Sequence, residues 1–170
     1  MSLVVSQAKS QALVAADDAT ARHSSLASAT LRIEGAHKDV ISSLRYTSDG
    51  RVLASAGFDR RINLYRTSGD CENYAVLTGH KGAVLDLCFG VDGEQRPCMF
   101  TASSDKTAAA WDLESGARVR QFKGHMAIVN TVAAPPRRPL LVTGGNDGVA
   151  KLFDARVKQH TLQLDAMFQV

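Results

Sequence analysis

An all-β fold built from repeated four-stranded antiparallel units is what this sequence predicts, and three observations predict it. From Thr30 onward, short apolar runs alternate with Asp-, Gly- and Ser-rich turns, the pattern of a β-meander. Four positions then recur in register. His37, His80 and His125 stand 43 and 45 residues apart, and Tyr65, Trp111 and Phe153 stand 46 and 42 apart. Asp59, Asp105 and Asp147 each precede their aromatic by six residues, and Ser55, Thr101 and Thr143 each precede their Asp by four. Finally, a period of about 40–45 residues with four strands in each copy is the period of β-propeller blades.

Taken in order, residues 1–29 are rich in Ala and Ser, with no sustained period and few large apolar side chains. Too little apolar surface is available to offset ordering entropy, so a disordered tail is expected there. The first copy, residues 30–66, predicts strands at Thr30–Ile33, Val40–Tyr46, Val52–Ala56 and Arg61–Tyr65, with turns at Thr47–Gly50 and Gly57–Arg60. The second, residues 73–112, predicts strands at Tyr74–Leu77, Val84–Phe89, Pro97–Ala102 and Thr107–Trp111. The third, residues 118–154, predicts Arg118–Phe122, Val129–Ala133, Leu140–Thr143 and Val149–Phe153. A last strand, Thr161–Asp165, opens a fourth copy over 161–170. In Val84-Leu85-Asp86-Leu87-Cys88-Phe89 most side chains are apolar, as expected of a strand packed on both faces. Gly57, Gly82, Gly145 and Gly148 fall in turns, where a positive φ costs glycine little.

Composition sets the outer bounds. The 170 residues are 45% hydrophobic and 22% charged, with a formal net charge of +3. That is a globular balance, and far from the strongly basic one of a nucleic-acid-binding domain. Cys71, Cys88 and Cys98 form no CxxC pair and are odd in number, so reduced, strand-packed thiols are expected. No apolar run approaches the roughly 20 residues that cross a bilayer. The first residues, MSLVVSQAKSQALVAADD, lack a basic region followed by an apolar one, and Asp17 and Asp18 are foreign to an organellar presequence, so no targeting segment is expected.

The repeated His, Ser/Thr, Asp and aromatic positions resemble the WD-repeat family. That resemblance implies a seven-bladed propeller and a structural hydrogen-bond chain inside each blade, drawn here from His37, Ser55 and Asp59, from His80, Thr101, Asp105 and Trp111, and from His125, Thr143 and Asp147. A partly buried carboxylate needs donors, which His80 would supply to Asp105, with Thr101 linking on to the Trp111 indole. Tyr65 and Phe153 stand where the second copy has Trp, and Ala36-His37 stands for Gly-His. The chain of bonds is therefore expected to be complete in the middle copy alone. A hydrolytic triad of the same residue types is excluded, because the trio occurs three times and no Gly-x-Ser-x-Gly elbow is present. No catalytic residue, cofactor or metal site is nominated.

Ser55–His80, with its Gly69–Tyr74 connection, the stretch Thr101–Asp112 and the run Lys151–Arg156 resemble, within that family, the spliceosomal WD-repeat subunits of the U-five small nuclear ribonucleoprotein. The resemblance covers about Leu31 to Val170. It implies a non-enzymatic nuclear scaffold for pre-mRNA splicing, held beside the particle's large core protein, its GTPase and its helicase, with RNA contact at most indirect. Three blades cannot close a ring that normally has four to eight. A piece of a longer protein is expected, with self-association or a complementary fragment as the alternative.

The His-bearing loops and the Asp turns are expected on one face. Lys38, Phe58, Arg60, Lys81, Ser104, Lys106 and Asn146 would lie there, and an aromatic at the tip of a polar turn makes Phe58 an interface candidate. The competing function comes from Phe153-Asp154-Ala155-Arg156, similar to the box by which some WD-repeat proteins join cullin-four ubiquitin ligases as substrate receptors. Arg156 is then a partner-binding candidate; its other reading is a simple brace at the strand end.

Overall fold

The computed structural model describes residue 33 and residues 35–68, 70–157 and 160–165, the side chains of 160, 161 and 163–165 excepted. The expected tail over 1–29 and all but the last residue of the expected strand at 30–33 lie outside the described residues. Among the described residues of the compact unit His37–Val170 there are twelve strands, and all pair antiparallel. The first sheet is β1 (Ile41–Tyr46), β2 (Val52–Gly57), β3 (Arg61–Arg66) and β4 (Asn73–Thr78). The second is β5 (Val84–Val91), β6 (Pro97–Ser103), β7 (Ala108–Asp112) and β8 (Arg118–Phe122). The third is β9 (Val129–Ala133), β10 (Leu140–Gly145), β11 (Val149–Asp154) and β12 (His160–Asp165).

Each sheet takes its fourth strand from the start of the next sequence copy. The strand that opens the fourth copy is thus the last strand of the third sheet, and sheets and sequence copies are offset by one strand. This offset follows from strand adjacency: β4 pairs with β3 through Arg61↔Thr78 and Ile62↔Leu77, leaving no partner-free edge between β3 and β4.

The cores lie between sheets, and the period of two along a strand decides which core each side chain joins. On β6 and β7, Met99, Ala109 and Trp111 point into one cluster with Ala54, Ala56, Ile62, Leu64 and Leu77 of the first sheet. Their neighbours Cys98, Phe100, Ala102, Ala108 and Ala110 point the other way, into a second cluster with Val129, Val132, Leu141 and Phe153 of the third sheet. The alanine run of β7 is small because sheets approach from both sides. Phe122 links two further rings, with centroids 6.3 Å from Phe100 and 5.3 Å from Phe153, in the tilted arrangement that aromatic quadrupoles favour.

Exposure follows the same logic. Val119 is the one large apolar side chain exposed among the described residues of the second sheet, whereas the first exposes Ile41, Leu44, Tyr46 and Val76 and the third exposes Val142 and Leu162. Among the described residues, the first and third sheets have a neighbour on one face only.

Glycine usage departs from expectation. Gly148 has φ +71°, but Gly57, Gly82 and Gly145 are not in the left-handed region. Space is the reason at Gly57 and Gly145. A Cβ there would sit 2.7 Å from His37 Nδ1 and 2.8 Å from His125 Nδ1, respectively.

Candidate functional site

The four repeated positions converge within each sheet. In the second, His80 Nδ1 lies 2.9 Å from Asp105 Oδ2, and its Nε2 lies 2.8 Å from Thr101 Oγ1. The Trp111 Nε1–H donates to the same Thr101 Oγ1 at 2.9 Å. Their positions follow from the strands. Thr101 and Trp111 lie on β6 and β7 with side chains on the same face, Asp105 sits in the turn joining those strands, and His80 enters from the loop before β5.

The protonation states follow from the geometry. Burial pushes the Asp105 carboxyl up, but hydrogen bonds from the Thr107 hydroxyl, His80 and the Lys81 amide together hold it below the usual carboxylate range. Asp105 is therefore an acceptor only, and His80 Nδ1 must carry the proton. Burial, which outweighs the opposing pull of Asp105, holds the His80 imidazole below its ordinary value. It is neutral, so Nε2 accepts and the Thr101 hydroxyl must donate to it. One direction runs through the set: indole N–H to threonine hydroxyl, hydroxyl to imidazole, imidazole to carboxylate.

The first and third sheets repeat the set with changes. His37 Nδ1 lies 2.9 Å from Asp59 Oδ1 and Nε2 lies 2.7 Å from Ser55 Oγ. His125 Nδ1 lies 2.9 Å from Asp147 Oδ2 and Nε2 lies 2.8 Å from Thr143 Oγ1. Each carboxylate also takes the backbone N–H that follows its histidine, from Lys38 at 3.0 Å, Lys81 at 2.9 Å and Met126 at 2.9 Å. In the first sheet burial pushes the Tyr65 phenol above its ordinary value, and the nearby side chains of Ser55 and Asn63 pull it partly back. The full set of indole, hydroxyl, imidazole and carboxylate is present in the second sheet. Phe153 offers no donor, and the third chain ends at Thr143.

These sets are built for cohesion. Ser55 is 2% exposed, and Thr101 and Thr143 are 0% exposed, so no substrate could reach any of the three hydroxyls. The two best-formed clefts, of about 320 and 440 Å³, are lined by none of the repeated His, Ser/Thr and Asp residues. Among the described residues, no group of His, Cys, Asp and Glu could hold a metal ion.

Sequence reading missed Asp86. Its Oδ1 accepts from Ser43 Oγ at 3.0 Å, and its Oδ2 accepts from Thr131 Oγ1 at 3.0 Å and from the Val132 amide at 3.2 Å. Ser43, Asp86 and Thr131 each follow their histidine by six residues. One carboxylate on β5 thus ties the equivalent points of β1 and β9. The one available signal was a charged residue inside the apolar run of β5.

The partner-binding candidates divide by location. Lys38, Phe58, Arg60, Lys81 and Lys106 stand exposed on the His loops and Asp turns. Ser104 and Asn146 lie in the same turns, Ser104 half-buried and Asn146 exposed. Arg156 follows β11, at the other end of the sheets, and its guanidinium grips Asp154 through Nη2–Oδ2 at 2.6 Å and Nε–Oδ1 at 3.0 Å.

A family model for the WD domain, G-beta repeat, matches residues 28–66, 71–112 and 116–154. The chain belongs to the WD40 repeat family. The second and third WD40 matches each begin one strand before the sheet that holds their His, Thr and Asp, the same offset seen in the strand pairing. Among curated WD40 relatives, the human U5 small nuclear ribonucleoprotein 40 kDa protein is 42% identical over 150 residues, which are 88% of this chain and 41% of that protein. The protein of the same name from Dictyostelium discoideum is 38% identical over 144 residues, 84% of this chain and 39% of that one. The pre-mRNA-splicing factor cwf17 of Schizosaccharomyces pombe is 36% identical over 115 residues, 67% of this chain and 33% of that one. The chain thus spans about two fifths or less of the length of the curated relatives it matches.

Proposed function

We propose that this chain is part of a non-catalytic scaffold in the U5 small nuclear ribonucleoprotein, acting in pre-mRNA splicing in the nucleus. The carrying observation is the likeness to the 40 kDa U5 proteins over 84–88% of the chain. The His, Ser/Thr and Asp sets support the non-catalytic part, since their hydroxyls are sealed and their protons are spent on holding loops to strands. The partners that fit this reading are other proteins of the particle: its large core protein, its GTPase and its helicase.

The competing reading, a substrate receptor of a cullin-four ligase, rests on Phe153–Arg156. The bidentate hold of Asp154 on Arg156 supports the simpler role of a strand-end brace. Affinity purification of the tagged full-length protein from its own cells separates the two. Recovery of U5 RNA with splicing proteins is expected. Recovery of a cullin with its adaptor, and no splicing proteins, would overturn the proposal.

A further inference from the structure

The larger of the two clefts, about 440 Å³, lies at the end of the sheets away from the histidines, where β1 and β5 finish. Its lining is mostly apolar. Phe89, Val91 and Leu113 are half-buried, and Tyr46 and Pro136 stand exposed, Tyr46 by 61%. A cleft of this size and lining suits an apolar group. Two of its sides are fixed in advance. In the turn 47–51 the Gly50 amide donates to the Thr47 carbonyl at 2.8 Å, and the Thr47 hydroxyl accepts from the Val52 amide at 3.0 Å. In the loop after β9, Pro135, Pro136 and Pro139 restrict the backbone, and the Leu140 amide donates to the Arg138 carbonyl at 2.8 Å.

The charges around the cleft are unevenly matched. Asp49, the one carboxylate on its lining, is spent on its own turn: it accepts from the Thr47 hydroxyl at 2.6 Å and the Arg51 amide at 3.1 Å. Arg45 also lines the cleft. It donates to the Leu44 carbonyl at 3.1 Å and stands 3.7 Å from Asp86 Oδ1, and a guanidinium has five N–H groups to share. Arg137 and Arg138 follow Pro136 directly. Both are exposed, and neither makes an ion pair among the described residues. At this same end Arg51, Arg96 and Arg156 are each matched to a neighbouring carboxylate.

We infer that this cleft is a docking site for a linear protein segment in which a bulky apolar anchor is flanked by carboxylates. The anchor enters between Tyr46, Phe89, Val91 and Leu113. The carboxylates meet Arg137 and Arg138, whose planar guanidinium groups suit bidentate pairing. A single-stranded nucleic acid is the poorer fit, because it needs a basic groove that follows its backbone. Here Asp49 interrupts one side, and Asp92 and Glu94 stand beyond Pro97, which borders both clefts. The inference deepens the scaffold reading and rests on it in taking the occupant to be a protein.

The test is fluorescence anisotropy on the full chain with three labelled probes: a peptide of Phe-Leu flanked on both sides by Glu, the same peptide with Lys for Glu, and oligouridylate. The acidic peptide is expected to bind, more weakly as salt rises. Arg137→Glu/Arg138→Glu should weaken that binding about tenfold and flatten its salt dependence. Tyr46→Ala should weaken it several-fold and leave the salt dependence as it was. All three positions are exposed, and an unchanged Tm in both variants separates lost contact from lost fold. Lys81→Glu/Lys106→Glu, an equal change of charge at the other end of the sheets, should leave binding unchanged. No binding of the acidic peptide, equal binding by Arg137→Glu/Arg138→Glu, or preference for the Lys peptide would overturn the inference. So would oligouridylate binding, or self-association of the chain, that depends on these two arginines in place of peptide binding. Peptide binding absent while U5 RNA and splicing proteins still co-purify would count against this cleft alone. Peptide binding kept without them would count against the U5 reading alone.

Discussion

Replacing Thr101 by valine deletes one hydroxyl at nearly constant volume, and that hydroxyl serves two buried neighbours. It donates to His80 Nε2 at 2.8 Å and accepts from Trp111 Nε1 at 2.9 Å. Trp111 is 1% exposed, Thr101 is 0% exposed and the His80 side chain is 0% exposed, so water cannot substitute. Stranding a buried polar group costs about 1–3 kcal/mol, and two are stranded, so a loss of roughly 3–4 kcal/mol is expected after some relaxation. Thr143→Val supplies the internal comparison. Thr143 makes the equivalent bond to His125 at 2.8 Å, but Phe153 has no N–H to strand. Its cost should be about half, on the order of 1–2 kcal/mol. The long contacts from each hydroxyl to a β-strand carbonyl, Thr101 to Ala109 and Thr143 to Lys151, are both 3.5 Å and cancel in the comparison. Urea unfolding followed by tryptophan fluorescence gives both values from the midpoint shift at constant slope. Equal losses for the two variants, or a Thr101→Val loss under about 0.5 kcal/mol, would refute the directed chain of bonds, since neither outcome strands two groups.

Further outcomes follow from the same geometry. Asp105→Ala should cost about 1–3 kcal/mol, the price of unpartnered His80 and amide donors, measured by the same melt. Stability should fall with acid in two stages. The folded His80 value is depressed, so its contribution is full above the ordinary 6.5 and is lost as pH falls from there. Asp59, Asp105 and Asp147 are also depressed, and their contribution is lost below about the ordinary carboxylate value of 3.8. Urea midpoints at pH 8, about 5.5 and about 3.5 check the order, and a midpoint that rises on acidification contradicts it. Asp86→Ala frees Ser43, Thr131 and the Val132 amide together and should lower the unfolding free energy by about 1–3 kcal/mol, with the β1, β5 and β9 amides losing hydrogen-exchange protection first. Burial pushes the Cys88 and Cys98 thiols up to about 12, so at pH 8 the native chain should take one equivalent of thiol reagent, at half-exposed Cys71; three equivalents without denaturant would contradict the packing.

The strands and the His, Ser/Thr, Asp sets are legible in the sequence because they obey short, fixed spacings. Asp105 lies four residues from Thr101 and six from Trp111, and a hairpin converts those spacings directly into contact. Strand ends agree with expectation to within two residues, as at β5, which runs on to Val91. What escapes is whatever depends on adjacency between units. Asp86 reads as an oddity in an apolar strand until Ser43 and Thr131 stand on either side of it. Gly57 and Gly145 read as turn formers, although a histidine ring from another loop is what forbids their side chains.

Glycerol-gradient sedimentation of nuclear extract, probed for this protein and for U5 RNA, tests the scaffold role most directly. The protein is expected to travel with U5 RNA in a large particle and to stay with it as other snRNPs are resolved away. Sedimentation as a free protein or in an RNA-free complex, with U5 RNA elsewhere in the gradient, would contradict the account.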